Sequence, residues 1–339
     1  MPAISQTIPV TAFLGGKDRQ AIDNGDFTVW QRGTNILLTA SGMVADRWRY
    51  VTDDTTATVR FRKASEWSPS FDIPVEAGKD GILFQFSSGA FDGSARYLSQ
   101  LIPDVRYGAE GIVTVSFWMW GATHDEIAQF YEVSLVQHFG GSEPSVEVPL
   151  TGKILVPSVT WNYVQFSGIM PSVADTTITD GGFVELRLYI IPDDDGFVHD
   201  TIFCSVQMNV GSRAMPFLDR GPVEEEAACK RYFERIHVAV GEWIAILHGR
   251  DTTPARGTLH YSQKWANPTS ITISNNAHFN IVRNIAVITV SAFSMSDANR
   301  NQANISVTGG DANPQIDWIY WLASTNAAAY IDVSAEPSV

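Results

Sequence analysis

Cys204 and Cys229 are the only cysteines in 339 residues. A disulfide framework needs more, and a zinc site needs closer spacing and further ligands. The pair reads as two buried thiols, with a bridge open only if a strand end and a helix face meet. Basic charge is also scarce: 23 Lys and Arg stand against 37 Asp and Glu, a net charge of −14. That argues against a nucleic-acid groove and against an anionic membrane surface. No run approaches the roughly twenty apolar residues of a membrane span. Met1 to Phe13 lacks the basic start and apolar core of a signal peptide, so synthesis in a cytoplasm is expected. The motifs G-x-S-x-G, H-E-x-x-H, G-x-x-x-x-G-K-S/T and G-x-G-x-x-G are missing, and the His residues are scattered without metal spacing. No enzyme activity and no cofactor are expected on these grounds. No repeat of solenoid or propeller period is present.

What the chain does have is apolar and aromatic. Hydrophobic residues make up 45% and charged residues 18%, enough for a core, and ten Trp, ten Tyr and eighteen Phe favour strands. Thr56 to Arg62 alternates cleanly, with Ala57, Val59 and Phe61 on one side. Ile112 to Trp120 is the strongest strand: Val113, Val115, Phe117 and Met119 face one way, and Ile112, Thr114, Ser116, Trp118 and Trp120 the other. Further strands are read at Tyr131 to Phe139, Trp161 to Phe166, Phe183 to Ile191 and Ile202 to Val210. Turn signals separate them and no helical run intervenes, which predicts an all-β, antiparallel jelly-roll sandwich.

The period changes at Pro222. Pro is suited to a first helical position, Glu224, Glu225 and Glu226 to the positive end of the helix dipole, and Lys230, Arg231 and Arg235 to the negative end. Ala228, Tyr232 and Ile236 then share a helical face. Short strands resume from Ala239. The expected organisation is an N-terminal leader at 1–22, read as an attachment arm or a loose N-terminus, a jelly-roll domain at 23–219, a connecting helix at 220–238 and a second, smaller β-sandwich at 239–339.

Val206-Gln207-Met208-Asn209-Val210-Gly211, Met215-Pro216-Phe217, Arg220-Gly221-Pro222, Glu225-Glu226 and Cys229-Lys230-Arg231-Tyr232-Phe233 follow in fixed order. Together they resemble a segment of phage and prophage tail-fibre proteins that reads "QLE-x-G", "ATPFE-x-R" and "EE-L-x-x-CQRYYE". Asn24-Gly25-Asp26-Phe27-Thr28-Val29-Trp30-Gln31-Arg32-Gly33-Thr34 is similar to their "NG-x-F-x-x-WQRGT", and Ala45-Asp46-Arg47-Trp48 to their "ADRW". Met208-Asn209 stands where "LE" is usual, and Lys230 where Gln is. The resemblance implies a jelly-roll receptor-binding protein of a virion, either a tail fibre or a head spike. It would be a homo-oligomer, a trimer, or a pentamer on a five-fold vertex. Its partners would be a host-surface polysaccharide and, through residues 1–22, other virion proteins. A structural connector and a capsule-degrading glycoside hydrolase are the alternatives.

Sugar binding directs attention to aromatics, because apolar C–H faces stack on exposed rings. Trp118 and Trp120 project from one strand face, and Trp67 and Trp265 sit in the polar stretches SEWSPS and SQKWANP. These four are the glycan candidates, with packing against a neighbouring subunit or the second domain as the alternative for Trp118 and Trp120, and an interface role as the alternative for Trp67 and Trp265. Trp30, Trp48 and Trp161 are assigned to packing, and Trp318, Tyr320 and Trp321 to core and subunit interface. Asp193, Asp194 and Asp195, followed by Gly196, read as a turn, with Ca²⁺ as the alternative. His124-Asp125-Glu126 also reads as a turn.

Overall fold

The computed structural model describes residues 20–54, 57–67, 73–74, 80–88, 96–122, 129–151, 154–156, 160–179, 182–191, 200–249, 254–283, 286–309 and 319–336. The chain divides into two compact units, Met1–Glu225 and Glu226–Val339. Both are built from antiparallel strands. No helix among the described residues is long and apolar enough to cross a membrane.

In chain order the first unit holds β1 (Asn35–Leu38), β2 (Gly42–Met43), β3 (Arg49–Thr52), β4 (Thr58–Lys63), the one-turn α1 (Ala64–Trp67), β5 (Ile82–Ser88), β6 (Arg96–Pro103), β7 (Ile112–Ala122), β8 (Gln129–His138), β9 (Val146–Pro149), β10 (Ile154–Val156), β11 (Asn162–Ile169), β12 (Phe183–Ile191) and β13 (Asp200–Val210). One sheet runs β1-β4-β5-β13-β7-β11. The other runs β10-β8-β12-β6-β3-β2, with β9 also on β8. From β5 to β8, and again from β11 to β13, successive strands alternate between the sheets, as a jelly roll requires. The predicted faces are the observed ones: Val113, Val115, Phe117 and Met119 are in the core. Tyr50, Phe61 and Phe84 meet there with ring centroids 4.9–5.7 Å apart. Each such buried side chain is worth about 1.5–3 kcal/mol.

The motifs at residues 24–34 and 45–48 form a knot at the sandwich entrance. The Asn24 side-chain amide donates to the carbonyls of Val29 and Asp46, and its oxygen accepts the Val29 N–H, all at 2.9 Å. The Trp48 indole donates to the Asn24 carbonyl at 3.0 Å, and Asp46 accepts from the Gln31 N–H and Arg32. Gly25 is fixed by close approach, since a Cβ there would meet the Val206 carbonyl oxygen at 2.0 Å. These contacts set the local backbone conformation. Glu225, read as a dipole partner, is instead buried and accepts the Asn24 N–H. Burial raises its pKa despite that hydrogen bond and the nearby Arg220. The sandwich also starts before residue 23: Ile22 is fully buried, and the Ala21 N–H pairs with the Met208 carbonyl at 2.9 Å. Residues 1–19 of the expected arm lie outside the described residues.

α2 is Pro222–Lys230, shorter than the periodicity suggested. The Arg231 and Tyr232 N–H groups bond back to Ala228 and Cys229 in a tight final turn, and Phe233–His237 is a strand, β14. Aromatic and β-branched residues favour that state once a partner strand exists, and β22 (Tyr330–Ser334) supplies it: Ile236 pairs with Ile331, and Arg235 grips Asp332 with two 2.7 Å bonds. Tyr232 and Ile236 therefore do not continue a helical face. Cys204 and Cys229 are buried thiols, not disulfide-bonded.

The second unit also contains β15 (Trp243–Gly249), β16 (Ala255–His260), β17 (Ser270–Ile273), β18 (Phe279–Arg283), β19 (Ala286–Ser296), β20 (Gln302–Gly309) and β21 (Ile319–Ser324). Where a sandwich was expected, six strands close into a barrel, β15-β16-β20-β19-β18-β21, beside the sheet β14-β22-β17. Closure removes exposed edges from strands too few to build two wide sheets. Leu247, Phe279, Ile281, Ile305 and Leu322 fill it. Buried Lys264 donates to the Lys230 carbonyl at 2.6 Å and to Glu234 at 2.9 Å. Desolvation pushes the Glu234 carboxyl up, but Lys264 and Ser262 outweigh it and hold the pKa below its ordinary value.

Candidate functional site

β13 does not run straight against β7. Cys204 pairs with Trp118 and Gln207 with Ser116, so Ser205 and Val206 together oppose one residue. Ser205 takes the left-handed φ of 49° that this bulge needs, and the freed Val206 N–H bonds to the Gly25 carbonyl at 2.8 Å. The bulge re-aims the strand. Phe203, Val206 and Met208 can all enter the core while Cys204, Gln207 and Asn209 face outward.

The outward amides then hold the segment after β13 across the sheet. Asn209 donates to the Arg213 carbonyl at 3.0 Å and accepts the Met215 N–H at 3.2 Å, and Gln207 donates to the Met215 carbonyl. The Met215-Pro216-Phe217 clip becomes one wall of a cleft of roughly 300 Å³, whose other lining residues are Ser116, Trp118, Tyr163, Ser205 and Gln207. Tyr163 lies opposite Trp118 on β11, with ring centroids 5.4 Å apart and planes at 51°. Tyr163 is 47% exposed and Trp118 half-buried. Ser116 and Gln207 are buried, and among the described residues Ser116 Oγ and Gln207 Oε1 have no hydrogen-bond partner. Among the described residues, the cleft thus combines the rings of Trp118, Tyr163 and Phe217 with two unsatisfied oxygens and no charged side chain.

Of the four aromatic candidates, Trp118 is in the cleft. Trp120 is on the same face, and both it and Trp118 pack, with Trp161, against Ala64, Leu83, Ile202 and Cys204, but Trp120 does not line the cleft. Trp67 ends α1, not a loop, and its side chain is outside the described set. Trp265, in the second unit, is a brace: its indole donates to the Ala335 carbonyl at 2.6 Å, its ring meets Tyr232 at 5.8 Å, and its carbonyl accepts from Arg300. Asp193, Asp194, Asp195, His124, Asp125, Glu126 and Trp318 lie outside the described residues. Among the described residues, no group of three His, Cys, Asp or Glu is placed to hold a metal. Tyr163, and the pairing of Ser116 with Gln207 at the cleft, were not singled out from sequence. Their signal is the strand register, which brings distant segments opposite one another.

The outer face of the other sheet carries charge. Glu185 on β12 accepts from His138 at 3.0 Å and from Arg187 at 2.8 and 2.9 Å. Arg187 also donates to the Tyr189 hydroxyl, which donates to Glu147, and Ser134 donates to Glu147 at 2.7 Å. Desolvation pushes the Glu185 carboxyl up, but His138 and Arg187 outweigh it and hold it below its ordinary pKa. Burial, reinforced by the Glu185 charge, pushes Tyr97 up to about 12.

No family model and no curated protein matches the chain. Among solved structures it is similar to the CBM22-1–GH10 modules of Clostridium thermocellum xylanase 10B complexed with xylohexaose, at 12% identity over 49% of this chain and 26% of that one, with a TM-score of 0.33. It is similar to the enzymatically active domain of tailspike protein 4 of bacteriophage CBA120, at 13% identity over 57% and 22%, with a TM-score of 0.33. It is also similar to a cyclase from Fischerella sp. TAU, at 11% identity over 57% and 98%, with a TM-score of 0.36. The chain spans about a quarter of the xylanase and tailspike structures it matches. Likeness at these scores carries no functional argument.

Proposed function

We propose that this chain is a non-enzymatic adhesin of a phage or phage-like particle, made in a bacterial cytoplasm, that binds a host-surface glycan through the cleft at Trp118. The observation that carries the reading is the ring pair Trp118 and Tyr163 set beside the unpartnered oxygens of Ser116 and Gln207. Rings accept the C–H face of a sugar, and the oxygens fix its hydroxyls. The tail-fibre resemblance of residues 24–34, 45–48 and 206–233 supports the virion, with the part of the expected arm ahead of Gln20, residues 1–19, holding other particle proteins.

Weak sugar sites gain strength from several copies, which favours a homo-oligomer, a trimer or, on a five-fold vertex, a pentamer. The barrel wall of the second unit supports this. Trp243 is 64% exposed and stacks on Trp321 at 5.2 Å, beside Ile246 at 56% and Ile319 at 49%. An apolar stripe of this kind suits a second copy of the chain.

The test incubates the purified protein with whole cells and with isolated capsule or lipopolysaccharide, and follows reducing ends in the same tubes. Binding without new reducing ends is expected. Release of ends makes the chain a hydrolase. A folded oligomer that neither binds nor cleaves leaves a structural connector.

A further inference from the structure

We infer that the Trp118 cleft takes a neutral sugar, not an acidic one, and reads it through a hydroxyl donated to Gln207 Oε1. The inference rests on the glycan-binding reading and adds the class of sugar.

The Gln207 amide has one orientation. Its Nε2 donates to the Met215 carbonyl, which can only accept, so turning the amide over would set two acceptors face to face. Oε1 is therefore left as an acceptor with no donor among the described residues. Ser116 Oγ, on the residue paired with Gln207 across the strands, is likewise unpartnered and can both donate and accept. Two neighbouring sugar hydroxyls meet this pair, one donating to Oε1 and the other exchanging a bond with Oγ.

A uronate or sialate carboxylate brings acceptors and a full charge. Among the described residues, the side chains that line the cleft include no Arg, Lys or His. Such a carboxylate would lose its water without gaining a cation, and would face the Gln207 oxygen acceptor to acceptor. The net charge of −14 opposes it further. Both protein oxygens are closed from bulk water, so the sugar must shift a neighbouring side chain to reach them. Met215, unbranched and in the clip, is the one suited to move.

The test titrates the full chain by calorimetry with neutral probes (maltohexaose, xylohexaose, mannohexaose) and acidic probes (oligogalacturonate, sialyllactose), beside a whole-cell pull-down. Binding confined to neutral probes is expected, weakened about three- to tenfold by Ser116→Ala and at least as much by Gln207→Met. Gln207→Met also releases the clip, so Ser116→Ala, which only removes a hydroxyl, decides if the first fails to fold. Binding of acidic probes equal to or tighter than neutral ones overturns the inference and leaves the glycan reading standing. Neutral binding unchanged by Ser116→Ala and Gln207→Met overturns the site. No binding by any probe or by cells removes both.

Discussion

The two outer faces of the first unit's sandwich are made from the same kinds of strand and end in opposite chemical states. On the second sheet, Glu185, Arg187, His138, Tyr189 and Glu147 direct their hydrogen bonds at one another. On the first, among the described residues, Ser116 and Gln207 keep an unmet oxygen each beside the rings of Trp118, Tyr163 and Phe217. A network closed on itself holds a scaffold in shape and has little left for a ligand. Buried oxygens left without a partner beside aromatic rings cost stability in the empty protein, and a ligand that reaches them can recover it. The difference teaches that binding capacity is better read from unused hydrogen bonds than from the number of polar groups.

The largest expected effect breaks the closed face. Glu185→Leu strands Arg187 and His138 without their shared carboxylate and should lower unfolding free energy by about 3 kcal/mol or more, read as a denaturant midpoint. Glycan affinity of the protein that remains folded should not change. A matching loss of affinity would mean that the two faces are not independent.

Trp118→Ala should do the reverse. Removing the ring should weaken glycan binding roughly tenfold or more, while the melting temperature falls less than in Glu185→Leu because Trp118 is only half-buried. Trp120→Ala, in the same packed cluster as Trp118 but not lining the cleft, should affect stability and leave affinity nearly intact.

Acid separates the faces again. The folded pKa of Glu185 is depressed, so its contribution is complete above the unfolded value of about 4.3 and is lost as pH falls through the lower folded value. Denaturant midpoints measured from about pH 6 down to pH 3 should fall, and the fall should be shallower in Glu185→Gln. A slope identical in both proteins would remove Glu185 from the acid response.

Much of this architecture could be read from the sequence, because alternation within a strand is local. Val113 to Met119 showed which side was core, and so placed Trp118 outward. Pairing is not local. Nothing in WNYVQFSG says that Tyr163 lies opposite Trp118, and nothing in CSVQMN announces the bulge that turns Gln207 toward Ser116. The same limit lengthened the helix: Ala228, Tyr232 and Ile236 fit a helical period, and only β22 makes Phe233–His237 a strand. The barrel was hidden for the same reason, since closure depends on which end strands meet. The motifs at Asn24 and Ala45 proved legible in another sense, as a knot of backbone-directed hydrogen bonds around Asn24 and Asp46.

The finest test uses one atom on each face. Ser134 Oγ donates to Glu147 at 2.7 Å, whereas Ser116 Oγ has no partner among the described residues, though both serines are buried at the middle of a strand. Ser134→Ala removes a working hydrogen bond and should cost about 1 kcal/mol, with glycan affinity unchanged. Ser116→Ala removes a hydroxyl that was desolvated for nothing in the empty protein. Its denaturant midpoint should hold or rise slightly, and affinity alone should drop. If both variants lose the same stability, Ser116 was satisfied after all, by water or by a neighbour, and its face is as closed as the other. If only Ser134→Ala loses stability and only Ser116→Ala loses affinity, the two faces of one sandwich have been divided between holding the fold and holding the ligand.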